Sequence, residues 1–181
     1  MATQLNIIQW NAQSAKAKRA NLERLITDYN ADIILICETW DDREDGHGGT
    51  AIFVNKVINA KPLSFTSRPK NVNISGIYLP QITDMAVQPF LSTRPVHAPM
   101  SCQDYNGLLN QIKTPFILGG DFNAHHSAMG SSKTDNDGNL LLKTIDNHQL
   151  VFLNDGSPTK LSRPNQCVSA IDVSLVSSSI D

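Results

Sequence analysis

Residues 116–126 read Phe-Ile-Leu-Gly-Gly-Asp-Phe-Asn-Ala-His-His. Phe116, Ile117 and Leu118 make a short apolar run with the character of a buried strand. Gly119 and Gly120 let the backbone turn sharply or admit another group at close range. Asp121 and Asn123 follow two positions apart. On an extended backbone, residues i and i+2 point to the same side, so a carboxylate and a carboxamide project together from the end of the strand. That arrangement suits a hard metal ion, or a phosphate with its attacking water. Asp and Asn also serve simple turns, and this stretch by itself leaves the two readings level.

Working outward, Ser127–Asn136 reads as a polar loop. Asp137–Asn147 reads as a helix with Leu141, Leu142 and Ile145 inward. Leu150–Leu153 reads as a strand and Asn154–Pro158 as a turn. Val168–Ser177 alternates in part and reads as a last strand, with Asp172 in its middle between Ile171 and Val173. A buried mid-strand carboxylate needs a histidine, a cation or backbone donors.

On the N-terminal side, Asp104–Ile112 carries Leu108, Leu109 and Ile112 at helical spacing. Residues 81–101 contain Pro89, Pro95 and Pro99 and are expected to be loop. Asn71–Pro80 holds a strand with Tyr78 near its end. Ile58–Thr66 is a weaker strand, Gly49–Asn55 a stronger one, and Asp41–His47 a loop. Asp32–Trp40 is a continuous apolar run, as in a strand buried on both faces, and Glu38 lies near its end. Residues 15–30 form an amphipathic helix with Leu22, Leu25, Ile26 and Tyr29 on one face. Lys16, Lys18 and Arg19 fall in its first turns, where cations oppose the helix dipole. Leu5–Asn11 is a strand. Strand–helix–strand spacing over residues 5–38 predicts two neighbouring strands, with Asn11 and Glu38 at their C-terminal ends.

The bulk properties set limits. The chain has 181 residues, 40% hydrophobic and 18% charged, enough for a single domain with a real core. A net charge of −2 supplies no global positive field, so any nucleic-acid binding must use local patches. The three cysteines, Cys37, Cys102 and Cys167, are odd in number, far apart and without zinc spacing. They are expected to be thiols in a reducing compartment. No basic segment followed by an apolar core opens the chain, and no apolar run is long enough to span a membrane. The expectation is an intracellular protein, nuclear or cytoplasmic.

Asn11, Glu38, Asp121, Asn123 and Asp172 thus stand at strand ends or in strands distant in sequence, and only a folded sheet brings them together. Oxygen ligands without a cysteine or histidine cluster favour Mg²⁺ or Mn²⁺ over zinc. Such an ion typically works on phosphate esters.

With these residues in place, the chain resembles the endonuclease/exonuclease/phosphatase superfamily, the DNase I-like fold. Within it, the chain resembles the endonuclease domain of non-LTR (LINE-type) retrotransposons. The resemblance rests on Gln9-Trp10-Asn11, Glu38-Thr39-Trp40, residues 48–52, Ile77-Tyr78-Leu79-Pro80, residues 119–126, residues 154–159 and Ser169-Ala170-Ile171-Asp172, in the family's order. It implies a four-layered α/β sandwich, two packed β-sheets flanked by helices. It implies metal-dependent hydrolysis of a phosphodiester, with nicking of duplex DNA that primes a reverse transcriptase domain of the parent element. By motif, Glu38 holds the metal and Asn11 assists at metal and phosphate. Tyr78 contacts the scissile phosphate, Asp121 orients or deprotonates the attacking water, and Asn123 stabilises the pentacovalent phosphate. Asp172 fixes the imidazole of a catalytic histidine.

The sequence departs from the family pattern at that histidine. A Ser-Asp-His motif is expected downstream of Asp172, and no His follows. The sandwich is therefore expected to be incomplete at the C-terminus, one domain over 1–181 without its final strand. His125 and His126 are not substitutes by motif, and His47, His97 and His148 match no catalytic position. The segments after Trp40 and over 56–100 also look shortened. Loss of one positioned acid/base group costs ~10²–10⁴-fold, so weakened nicking is expected. The competing expectations are a non-catalytic nuclease remnant, and a phosphatase or apurinic-type nuclease on the same fold.

Overall fold

The computed structural model describes residues 4–39, 48–70, 72–80, 88–93, 100–159 and 169–178. In chain order the elements are β1 (Ile7–Asn11), α1 (Arg19–Asp28), β2 (Ile33–Cys37), β3 (Thr50–Val54), β4 (Lys61–Pro62), β5 (Asn73–Tyr78), β6 (Gln88–Thr93), α2 (Cys102–Leu109), β7 (Phe116–Asp121), a 3₁₀ turn (Ser127–Met129), α3 (Asn136–Asn147), β8 (Leu150–Phe152) and β9 (Asp172–Ser177).

They form two sheets. The first has the order β1-β2-β3, and the second β4-β5-β6-β7-β9-β8. β1 and β2 run parallel, as the strand–helix–strand spacing predicts, with Asn11 opposite Cys37. The sheets pack face to face, β1 and β2 against β7 and β3 against β5. Alternation along each strand then divides the core into three layers. Ile33, Leu35 and Cys37 point between the sheets and meet Ile77 and Leu79. Ile34 and Ile36 point outward and pack with Leu22 of α1. On the far side, Leu118, Val173 and Leu175 pack under Tyr105, Leu108 and Leu109 of α2 and Leu141 and Ile145 of α3. The result is helix, sheet, sheet, helix: the four-layered α/β sandwich that the resemblance implies. Among the described residues, no helix is long and apolar enough to cross a membrane.

Several expected boundaries move. The run from Asp32 stops as a strand at Cys37, and Glu38 takes a φ of +55°. The weak strand over 58–66 is reduced to Lys61–Pro62. The expected loop over 81–101 contains β6, a central strand. Pro89 hides it from a sequence reading, because proline cannot donate to a ladder. The β5–β6 ladder ends at Gly76–Phe90, so Pro89 lies just beyond it and faces only β7 in register. β9 begins at Asp172, which is therefore a strand end and not a mid-strand residue.

The helices also shift. α1 starts at Arg19, so Lys16 and Lys18 precede it, and the Lys18 ammonium donates to the Ala12 carbonyl instead of opposing the dipole. α2 starts at Cys102 because Ser101 and Asp104 form a reciprocal capping box. α3 starts one residue earlier than expected, capped by Asp135. The expected Asp41–His47 loop, and with it Trp40, His97 and Cys167, lies outside the described residues.

Candidate active site

The layer between the sheets changes character along its length. At one end it is lined by Ile7, Ile33, Val54 and Ile77, one from each of β1, β2, β3 and β5. Four residues further along the same faces stand Asn11, Cys37, Thr50 and Asn73. β7 and β9 bring Asp121 opposite Asp172 at that same end. The strands that end there (β1, β2, β7) supply their last residues, and the strands that start there (β3, β5, β9) supply their first.

Between the two ends lies a polar stitch. Gln9 donates its amide to the Gly120 carbonyl at 3.2 Å and accepts from the Ser174 hydroxyl at 2.7 Å. A Cβ at Gly119 would stand 2.5 Å from Gln9 Oε1. Gly119 thus serves close approach of a group from the other sheet, within a strand and not at a turn.

At the polar end, the Asn11 amide donates both protons: one to Asp121 Oδ2 and one to Asp172 Oδ1, each at 3.1 Å. Asn11 Oδ1 is buried and has no hydrogen-bond partner among the described residues. Asp121 is only 5% exposed. Burial pushes its carboxyl from the ordinary 3.8 up to about 7. The charge of Asp172 adds to this, opposed by the Asn123 N–H, and the charge of Glu38 adds further. Two carboxylates at register partners cannot both stay ionised cheaply without a cation or a shared proton.

Glu38 sits one residue past β2. Its carboxylate accepts from the Gly48 N–H at 3.2 Å. Its own carbonyl accepts from the Ser14 N–H at 2.9 Å, with the Cys37 and Thr39 carbonyls taking the Ala12 and Ala15 N–H groups on either side. A Cβ at Gly49 would stand 2.2 Å from Thr39 Oγ1. Segments 11–15, 37–39 and 48–49 are thus laced into one rim.

Asn123 departs from the expected geometry. Its φ is +46°, so it does not continue an extended strand with Asp121. Its N–H instead donates to Asp121 Oδ1 at 3.0 Å. The turn and the polar cluster are one feature: the turn that Asp121 caps keeps both side chains at the strand end.

Asp172 is held through its backbone. The Asn154 side chain donates to the Asp172 carbonyl and accepts from the Ser174 N–H, at 2.9 and 2.8 Å. The Thr159 hydroxyl accepts from the N–H groups of Ile171 and Asp172, at 3.1 and 3.0 Å. The histidines near the motif have other partners. His125 Nδ1 lies 2.8 Å from Ser169 Oγ, and His126 Nδ1 accepts from the Ala128 N–H at the 3₁₀ turn. His148 Nε2 meets Asn106 Oδ1 and ties α3 to α2.

Tyr78 is not brought into this group. Register places Asn73, Thr93 and Asp121 in one row across β5, β6 and β7. Tyr78 is five residues along β5 from that row, ~16 Å at strand spacing. It also alternates with the inward-facing Ile77 and shares the outward parity of Ile74, which packs under the helices. Tyr78, expected to contact the scissile phosphate, thus stands at the opposite end of its strand from the Asp121 row and on the other face.

Sequence reasoning gave Gln9, Asn154 and Thr159 no role beyond the family likeness, and it passed over Asn73. Gln9 had a local signal, an i, i+2 amide pair with Asn11. Asn73 had none, because only register reveals its row.

The donor set fits a hard divalent cation. It is all oxygen, and it contains a buried amide oxygen without a hydrogen-bond partner beside carboxylates that repel one another. Among the described residues no three His, Cys, Asp or Glu side chains form a cage. Mg²⁺ is ordinarily held by one or two carboxylates and completed by substrate phosphates. Glu38 and Asn11 Oδ1 would hold it, with Asp121 beside them.

Residues 8–180 match the family described as "Endonuclease/Exonuclease/phosphatase family". The chain is 25% identical over 179 residues to "Probable RNA-directed DNA polymerase from transposon X-element" of Drosophila melanogaster, covering 86% of this chain. It spans only 19% of that relative's length. Among solved structures, it superposes on the endonuclease domain of TRAS1, a telomere-specific non-LTR retrotransposon, with a TM-score of 0.75. The identity is 23%, covering 97% of this chain and 86% of that one. An AP endonuclease from Archaeoglobus fulgidus superposes with a TM-score of 0.68 at 13% identity, covering 96% and 87%.

Proposed function

The chain belongs to the endonuclease/exonuclease/phosphatase family, and from that premise we propose that it is a divalent-metal-dependent phosphodiesterase that nicks duplex DNA. The observation that carries the reading is the Asn11 side chain, whose amide protons are both spent on Asp121 and Asp172 and whose buried oxygen is left without a hydrogen-bond partner. An oxygen in that position, beside Glu38 and two clustered carboxylates, calls for a cation. The likeness to a retrotransposon endonuclease domain and to a transposon polymerase supports DNA as the substrate. It also supports a reverse transcriptase, in the parent element, as the user of the nick.

Glu38 and Asn11 would hold the ion, Mg²⁺ or Mn²⁺, which when bound would neutralise phosphate charge and lower the cost of attack. The Asp121 carboxylate, when ionised, would orient water and take its proton. The backbone N–H of Asn123 keeps that carboxylate aimed. The Asn123 amide, at the turn, would donate to a phosphoryl oxygen as charge develops there. Asp172 holds Asn11 in place through the shared amide, and Asn154 and Thr159 hold Asp172.

The test is nicking of supercoiled plasmid by the purified chain with Mg²⁺ and with EDTA, beside Asp121→Ala. Metal-dependent nicking that disappears in the variant is expected. No nicking by a chain shown to be folded would make it a non-catalytic relic of the family.

A further inference from the structure

We infer that Asn73 is a phosphate-binding residue of this site, taking a backbone phosphodiester of the DNA one step along from the carboxylates. The inference rests on the nuclease reading above. Asn73 opens β5 at the polar end of the inter-sheet layer, and Asp121, Thr93 and Asn73 form one row of register partners. Register partners share a face, so Asn73 and Asp121 look into the same slot from strands two apart, ~10 Å at sheet spacing.

Two further observations mark the residue. Its Nδ2 lies 3.0 Å from where a Cβ on Gly48 would stand, and Gly48 is the residue whose N–H holds the Glu38 carboxylate. Asn73 therefore borders the metal-ligand rim. The next inward residue, Ser75, is already paired with Thr50 Oγ1 at 2.7 Å. The Asn73 side chain is half-buried and makes no hydrogen bond to any described residue. An amide at the mouth of an acidic slot is a neutral donor: it can reach a phosphate oxygen without drawing a counter-charge from Glu38 or Asp121.

The experiment measures binding of a short blunt duplex oligonucleotide, labelled with fluorescein, by anisotropy in EDTA. Wild type is compared with Asn73→Ala, the isosteric Asn73→Asp, and Tyr78→Phe. Asn73→Ala is expected to weaken binding by about 3- to 10-fold, the yield of one neutral hydrogen bond. Asn73→Asp is expected to weaken it further through repulsion of phosphate, and Tyr78→Phe to leave it unchanged. Circular dichroism melts of each variant separate lost binding from lost folding. Equal affinity of wild type, Asn73→Ala and Asn73→Asp overturns the assignment while leaving the nuclease reading in place. Absence of duplex binding by the wild type overturns the assignment, and the nuclease reading is then decided separately by the plasmid-nicking test.

Discussion

The two ends of the inter-sheet layer are made by the same strands and the same alternating faces, yet one is a hydrocarbon core and the other a cluster of acids and amides. Ile7 and Asn11 belong to one strand face, as do Ile117 and Asp121, and Ile77 and Asn73. What distinguishes them is only distance along the strand. The apolar end gains free energy from burial, at about 25 cal/mol per Å². The polar end gives some of it back, because Asp121 is buried beside Asp172 and holds its proton up to about 7. The comparison teaches that this fold stabilises itself at one end of each strand and spends part of that stability at the other. A site of this kind is the place where an otherwise consistent sequence breaks its own pattern.

The sharpest way to break the comparison is at Asp121. Asp121→Ala is expected to lower metal-dependent nicking by at least ~10²-fold, measured as initial rates on supercoiled plasmid. It should leave the protein folded or more stable, because a costly buried acid is removed. Loss of folding together with activity would mean that the polar end is structural too.

The second prediction concerns pH. The folded-state pKa of Asp121 is raised above its unfolded value, so the folded state binds the proton more tightly. Its stabilising contribution is fully present below about pH 4 and is lost as pH rises through about 7. In EDTA, the unfolding free energy of wild type from urea melts should therefore fall relative to Asp121→Asn between about pH 4 and 7, by roughly 1 kcal/mol per pH unit, and level off above 7. Saturating Mg²⁺ should flatten the difference. Parallel curves for the two proteins would remove the proton from the account.

The stitch between the two ends offers a smaller effect. Gln9→Ala leaves the Ser174 hydroxyl and the Gly120 carbonyl without their partner across the sheets. The expected cost is about 1–3 kcal/mol in chemical denaturation, with nicking reduced only as far as the sheets separate. The smallest effect expected is at Tyr78, where replacement by Phe should change nicking by less than about twofold. A large loss there would show that register does not place it as described.

The same comparison explains what could be seen in the sequence. The run Ile33–Cys37 is wholly buried, and its unbroken apolar character announced a two-faced strand. The Gly-Gly-Asp-Phe-Asn stretch likewise announced its own strand end, because the apolar run and the carboxylate are adjacent. Asn11 and Glu38 were legible for the same reason. Tyr78 and β6 were not. The Ile-Tyr-Leu-Pro likeness is local, and a motif carries no information about which end of a sheet its strand presents. That is fixed by β5 pairing antiparallel with β6, a strand concealed by Pro89. Asn154 and Thr159 act on Asp172 across 18 and 13 positions, through contacts that only the folded hairpin region creates.

The Asn11 amide joins residues 110 and 161 positions away. Long-range pairings form late, after shorter loops have closed. β1 is made before β9, and its asparagine waits 161 positions before it meets Asp172. A chain that lacks β9 cannot hold this arrangement, and the site forms only when β1, β7 and β9 are all in place. Whatever chemistry the cluster performs therefore waits on the closure of its longest loop.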